Sequence, residues 1–153
     1  MKLAEMLDPS VVEVPVESFT REEVIAELVE LLVRAGEIQD REGVLDALYE
    51  RERKGSTGIG NGVAVPHARH PSIDGAVLAV GIAPDGIEFE AVDDEPVYLV
   101  FLLLGSPDQP SLTIEALADI GMVVQIPDVQ KRLLNADDAQ NVIDIIDKAQ
   151  ENE

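Results

Sequence analysis

The sequence predicts a single α/β domain over residues 1–153, with helices at both ends of the chain and a mostly buried sheet between them. Three observations carry this reading. Two nearly continuous apolar runs, Ala76–Ala83 (interrupted by Gly81) and Val97–Leu104, lie in the middle of the chain. Both are far short of the roughly 20 residues that span a bilayer, so they read as central strands covered on both faces. Apolar residues at helical spacing flank them on either side, and an apolar content of 46% without low-complexity runs is that of an ordinary globular chain.

The elements follow in order. Val12, Val14 and Val16 alternate with Glu13, Pro15 and Glu17, a strand signal that the proline confines to an edge. Thr20 and Glu23 form a capping-box pair ahead of a helix with Val24, Ile25, Leu28, Leu31 and Leu32 on one face, ended by Gly36. Asp40 caps a second helix that turns Val44, Leu45 and Leu48 inward and runs to about Arg53. A glycine-rich turn leads into a strand at Val63–Val65. Between the two apolar runs, Pro84-Asp85-Gly86 reads as a turn and Ile87-Glu88-Phe89 as a brief alternating segment. Ser106–Pro110 reads as a loop. Leu112, Leu117, Ile120 and Val124 then mark a helix, Val129 to Leu134 a short one, and Val142, Ile143, Ile145 and Ile146 a last amphipathic helix.

Charge narrows the function. A net charge of −20 leaves no general means of contacting phosphate backbones, which argues against nucleic acid and anionic membranes as partners. The absence of cysteine removes disulfides and thiolate metal ligands, and no apolar signal core follows Met1-Lys2, so a cytoplasmic location is expected.

Against that background one stretch stands out. From Arg51 to Arg69 the chain carries four of its 11 basic residues, Arg51, Arg53, Lys54 and Arg69, and only one of its 31 acids, Glu52. Within it, Gly55-Ser56-Thr57-Gly58-Ile59-Gly60-Asn61-Gly62 is followed by Val63-Ala64-Val65-Pro66-His67, so that one of the two histidines follows a flexible turn, a strand and a proline. The spacing G-x-G-x-G is not a dinucleotide fingerprint, because Val65 stands where the last glycine belongs. No Lys-Ser or Lys-Thr follows Gly62, so it is not a phosphate-binding P-loop either. Glycines in such a turn let backbone N–H groups approach an anion, and an imidazole with an ordinary pKa near 6.5 is a nucleophile at neutral pH. Turn amides and Arg51 would then be the donors to a phosphoryl group on His67, with Pro66 fixing the direction in which the histidine leaves the strand. The plain alternative is a tight hairpin turn with His67 as a surface residue. A metal site at His67 and His70 lacks a third ligand, and His70 alone reads as a solvated loop residue.

Arg51-Glu52-Arg53 together with Gly55 through His67 resembles, nearly position by position, the phosphorylation-site signature of enzyme IIA of the bacterial phosphotransferase system, in its fructose, mannitol and nitrogen-regulatory class. The resemblance continues through both apolar strands, Phe89-Glu90-Ala91-Val92-Asp93 and Glu115-Ala116-Leu117-Ala118, and covers essentially the whole chain. It implies a three-layer α/β/α domain with a small mixed sheet. It implies that His67 accepts a phosphoryl group from the phosphocarrier HPr and passes it to a cysteine on a separate enzyme IIB, with Arg51 supporting the phosphate and Thr57 and Asn61 lining the site. It implies no metal or organic cofactor, since the phosphoryl group arrives already activated on another histidine. Many members of that family carry a second histidine where this chain has Thr113, which can donate one hydrogen bond but cannot carry charge. That departure raises the alternative of a regulatory protein whose phosphorylation state controls a partner; a pure anion-binding domain is the third reading.

The net charge also has two readings, adaptation to molar salt or an ordinary acidic protein. Salt adaptation predicts a clear rise in stability from dilute buffer to molar salt. Equal melting curves by circular dichroism under the two conditions would exclude it.

Overall fold

The computed structural model describes residues 2–151. The two apolar runs form the centre of a six-stranded mixed sheet: β5 (Ala76–Ile87) and β6 (Val97–Gly105) pair antiparallel from Ala76 opposite Gly105 to Ile87 opposite Val97. From Val77 to Ala83 and from Leu99 to Gly105 every residue is buried, as strands covered on both faces must be. On the far side of β5 lies the short edge strand β1 (Val12–Glu13), parallel to it. On the far side of β6 the hairpin of β2 (Gly58–Gly60) and β3 (Val63–Ala64) adds the order β1-β5-β6-β3-β2, with β4 (His67–Arg69) also parallel to β6.

Helices cover both faces. α1 (Arg21–Arg34) begins with the expected capping box, in which Thr20 accepts from the Glu23 N–H and Glu23 accepts from the Thr20 N–H. Its buried stripe of Val24, Ile25, Leu28, Val29 and Leu32 packs on β5, and Gly36, at φ +79°, lets the chain leave. α2 (Arg41–Arg53) starts at Asp40, whose carboxylate accepts from the Gly43 N–H, and packs against α1 and β4. α3 (Pro110–Gln125), α4 (Val129–Leu134) and α5 (Ala139–Glu151) contact one another and form the other layer, α3 against β6 and α4 against β5 and β6. The three-layer α/β/α architecture is therefore as expected.

Three local expectations are corrected. The alternating segment Val12–Val16 pairs as a strand only at Val12 and Glu13; a cis Val14–Pro15 bond follows, and Val16 rejoins β5 through its N–H to the Ile82 carbonyl at 2.9 Å. Pro84-Asp85-Gly86 is not a turn. β5 runs through it, with a register shift against β6 between Ile82 and Ile87 and Gly86 at φ +84°, so the missing proline N–H falls where no ladder partner waits for it. Pro110 belongs to the first turn of α3, where its fixed φ suits a helix start, and not to the preceding loop. No helix among the described residues is long and apolar enough to cross a membrane.

Phe101 is fully buried on β6 opposite Val80. Phe101→Ala should lower the stability of the fold by about 3–5 kcal/mol, read from the urea unfolding midpoint.

Candidate functional site

Along the outer side of β6 the chain pairs twice in the same direction. Val63 and Ala64 lie opposite Leu99 and Val100, and His67, Ala68 and Arg69 lie opposite Leu103, Leu104 and Gly105. Between them Val65 turns its amide away from β6 and Pro66 has no N–H to give, while the register is kept. Val65 donates its N–H to the Thr57 carbonyl at 2.9 Å, and the Pro66 carbonyl accepts from Leu103 at 2.9 Å. His67 thus lies beyond β3, as the sequence suggests, and opens a further strand, β4, along the same neighbour. Residues two apart on a strand share a face, which puts His67 and Arg69 side by side.

That face borders a cavity of about 460 Å³ lined by three elements. The last two turns of α2 supply Ala47, Glu50 and Arg51, with Lys54 directly after them, spaced three and four apart on one side of the helix. β4 supplies His67, Ala68 and Arg69, and α3 supplies Thr113 and Leu117, one turn apart. Arg51, Lys54 and Arg69 form no ion pair with a carboxylate among the described residues. Arg51 uses one Nη to donate to the Gly55 carbonyl at 2.9 Å, which holds its side chain against the chain leaving α2. Glu50 is the one acid on the wall. Arg53 hydrogen bonds to it at 2.6 Å and holds its carboxyl below the ordinary value, so this charge is already balanced. The cations also offset the negative end of the α2 dipole.

The half-buried His67 has a defined tautomer. Its Nδ1 lies 2.7 Å from the Val65 carbonyl oxygen, which can only accept, so Nδ1 carries the proton and the lone pair is on Nε2. The structure therefore brings together an imidazole whose Nδ1 is committed to the Val65 carbonyl, leaving Nε2 for chemistry, and three cations, an arrangement able to attack a phosphoryl group and hold its oxygens. A larger cavity of about 690 Å³, walled by Asp85, Glu88, Glu90, Asp94 and Glu95, has the wrong charge for that chemistry.

Of the residues singled out in the sequence, His67, Arg51 and Thr113 meet at this cavity, and Thr57 and Asn61 do not line it. Thr57 is 3% exposed; its N–H donates to Glu52 Oε2 at 3.2 Å and its hydroxyl donates to Glu52 Oε1. Asn61 and Gly62, at φ +57° and +81°, are the two-residue turn of the β2–β3 hairpin, and the Asn61 N–H donates to Asp93 at 3.1 Å. The turn expected to offer amide donors does not line this cavity. The Gly58 N–H bonds Ser56 Oγ, and a Cβ on Gly58 would lie 2.8 Å from that of Ala91, so the glycine serves close packing. His70 is not a solvated loop residue. Its Nδ1 contacts Ser72 Oγ at 2.7 Å and accepts from the Ser72 N–H, and Nε2 lies 3.6 Å from Asp40 over the first turn of α2. A Cβ on Gly43 would sit 2.7 Å from that nitrogen. Lys54 and Arg69, counted in the sequence only as local charge, are wall residues; the signal for Arg69 was its two-residue spacing from His67, readable only once a strand is assigned there.

Thr113 is 2% exposed and its Oγ1 finds no hydrogen-bond partner among the described residues. It packs on Gly105, where any Cβ would collide with it.

Residues 5–149 match the protein family described as phosphoenolpyruvate-dependent sugar phosphotransferase system, EIIA 2. The fructose-specific EIIA component of Haloferax volcanii is 35% identical over 83% of this chain and 82% of its own length. The fructose-specific EIIABC component of Bacillus subtilis is 34% identical over 97% of this chain, which spans only 23% of that protein's length. Among solved structures, the nitrogen regulatory protein IIA-Ntr of Neisseria meningitidis superposes with a TM-score of 0.86 at 28% identity, covering 94% of this chain and 98% of that one.

A buried hydroxyl without a partner costs stability. Thr113→Val, which keeps the shape, should stabilise the protein by about 1 kcal/mol and raise its melting temperature by about 2–4 °C in a calorimetric scan.

Proposed function

This chain belongs to the family of phosphotransferase system EIIA 2 domains, and on that footing we propose that it is a phosphohistidine carrier with His67 as the accepting residue. The observation that carries the reading is the Nδ1–H bond from His67 to the Val65 carbonyl, which leaves Nε2 as the nucleophile beside Arg51, Lys54 and Arg69. In the first transfer the phosphorus–nitrogen bond of a phosphorylated donor breaks as the bond to Nε2 forms. The electron pair comes from Nε2 and returns to the donor nitrogen, and Nδ1 keeps its proton. In the second, the new bond breaks toward a cysteine thiolate of enzyme IIB. Phosphoryl transfer needs positioning and charge on the equatorial oxygens, and the three cations that line the cavity with His67, two from the end of α2 and one from β4, meet that need. HPr as the donor, a fructose- or mannitol-class sugar at the end of the relay and a cytoplasmic setting complete the proposal.

Thr113 favours a second reading. With one hydroxyl where the family resemblance leads one to expect a second histidine, onward transfer has no second imidazole to share charge, and a long-lived phosphorylated state suits a protein whose partner senses it. The two readings separate on a single assay, the loss of the phosphoryl group on adding a separate enzyme IIB of the fructose or mannitol class.

The first experiment is incubation with phosphoenolpyruvate, enzyme I and HPr at low and high salt, followed by intact mass. The expected outcome is one acid-labile phosphoryl adduct on wild type and none on His67→Ala. Arg51→Ala should slow the reaction on the order of 10²-fold, as for the loss of one transition-state donor; a rate near wild type would place Arg51 outside the chemistry.

A further inference from the structure

We propose that Glu52 is a positioning residue for the carrier histidine, acting through Thr57 and Val65, an inference that rests on His67 as the accepting residue. The proposal comes from an unbroken chain of hydrogen bonds. The Glu52 carboxylate accepts from both the N–H (3.2 Å) and the hydroxyl of Thr57. The Thr57 carbonyl accepts from the Val65 N–H at 2.9 Å. The Val65 carbonyl accepts from His67 Nδ1–H at 2.7 Å. Glu52, Thr57 and Val65 are only 6%, 3% and 6% exposed, so water does not compete for these groups.

A carboxylate buried to this extent needs partners, and no cation lies within ion-pair distance of Glu52 among the described residues. Its partners are the two donors of one threonine. Glu52 lies next to Arg51 at the end of α2, and both side chains hold the returning segment, Arg51 at Gly55 and Glu52 at Thr57. The two residues thus divide the work between them: Arg51 reaches the cavity directly, and Glu52 acts on the imidazole from beneath.

What passes along the chain is position. The N–H and the carbonyl of Thr57 belong to different amide planes, and so do those of Val65, so each link fixes a residue rather than conducting polarisation through one amide. The Val65–Pro66 amide has no N–H, so its carbonyl is held through the groups on either side, the Val65 N–H on Thr57 and the Pro66 carbonyl on Leu103, and the first of these is the one Glu52 reaches. Outer partners that fix a histidine's ring and tautomer have this role around metal sites, and here the geometry assigns it around a nucleophile.

The test uses the full chain and two readouts. Nitrogen-15 NMR of the unphosphorylated protein reports the His67 tautomer, and intact mass after phosphoenolpyruvate, enzyme I and HPr reports its phosphorylation rate. Wild type should show the Nδ1–H tautomer. Glu52→Gln should mix in the Nε2–H form and slow phosphorylation about tenfold or more, the usual effect of losing such a partner. Thr57→Val should move both readouts the same way while Thr57→Ser restores them, and this pair carries the test if Glu52→Gln fails to fold. A wild-type tautomer and rate in Glu52→Gln or Thr57→Val, with circular dichroism unchanged, would overturn the proposal. If wild type takes up no phosphoryl group, the carrier reading fails and the NMR arm alone still decides the role of Glu52.

Discussion

The site depends on the way the chain runs beside β6. It pairs at Val63–Ala64, turns the Val65 N–H away to Thr57, and pairs again in the same parallel sense and register at His67–Arg69. A continuous strand would commit the Val65 carbonyl to a ladder or to solvent. The interruption frees it to accept from His67 Nδ1, and resumed pairing gives His67 and Arg69 a common face. β6 holds this outer strand while its other edge pairs with β5 from Leu99 to Gly105, over which its residues are all buried.

Electrostatics then depends on where the helices end. Arg51 and Lys54 come from the end of α2, Arg69 from β4, and none is neutralised by a carboxylate among the described residues. In a chain of net charge −20 this concentration of unpaired cations creates a local potential opposite to that of the surface as a whole. The neighbouring acid, Glu50, is already matched to Arg53. The larger cavity shows the opposite balance, five carboxylates around an open groove, so size alone would choose the wrong place for phosphate chemistry.

Two buried polar side chains near the cavity break the rule that interiors satisfy themselves cheaply. Glu52 is satisfied, though only by folding a turn back onto the helix that carries it. Thr113 Oγ1 is not satisfied among the described residues, and it rests on Gly105, at the end of the strand beside His67 and Arg69. Local violations of this sort gather at functional sites, where the group serves a state other than the resting one.

Much of this was legible in the residues. The capping pair Thr20–Glu23, the Asp40 cap, the two buried strands and the amphipathic stripe of α5 are signals contained within a few neighbouring positions, and each formed as read. His67, and the cluster of Arg51, Lys54 and Arg69 in an acidic chain, were equally visible because composition needs no partner. Where a side chain points was decided elsewhere. Thr57 and Asn61 lie in the same motif as His67, yet one turns inward to Glu52 and the other forms a hairpin turn beside Asp93, 32 residues away in the chain. Pro84-Asp85-Gly86 carries turn residues, yet it lies in a bulge of β5, bracketed by the pairing of Ile82 and Ile87 with β6. His70 found Asp40 and Ser72 because α2 packs on β4. The sequence by itself determined the elements, the charge and the nucleophile, all set by local spacing. Only tertiary structure decided which donors surround the imidazole and which nitrogen is free, because those depend on strand pairing between residues far apart in the chain.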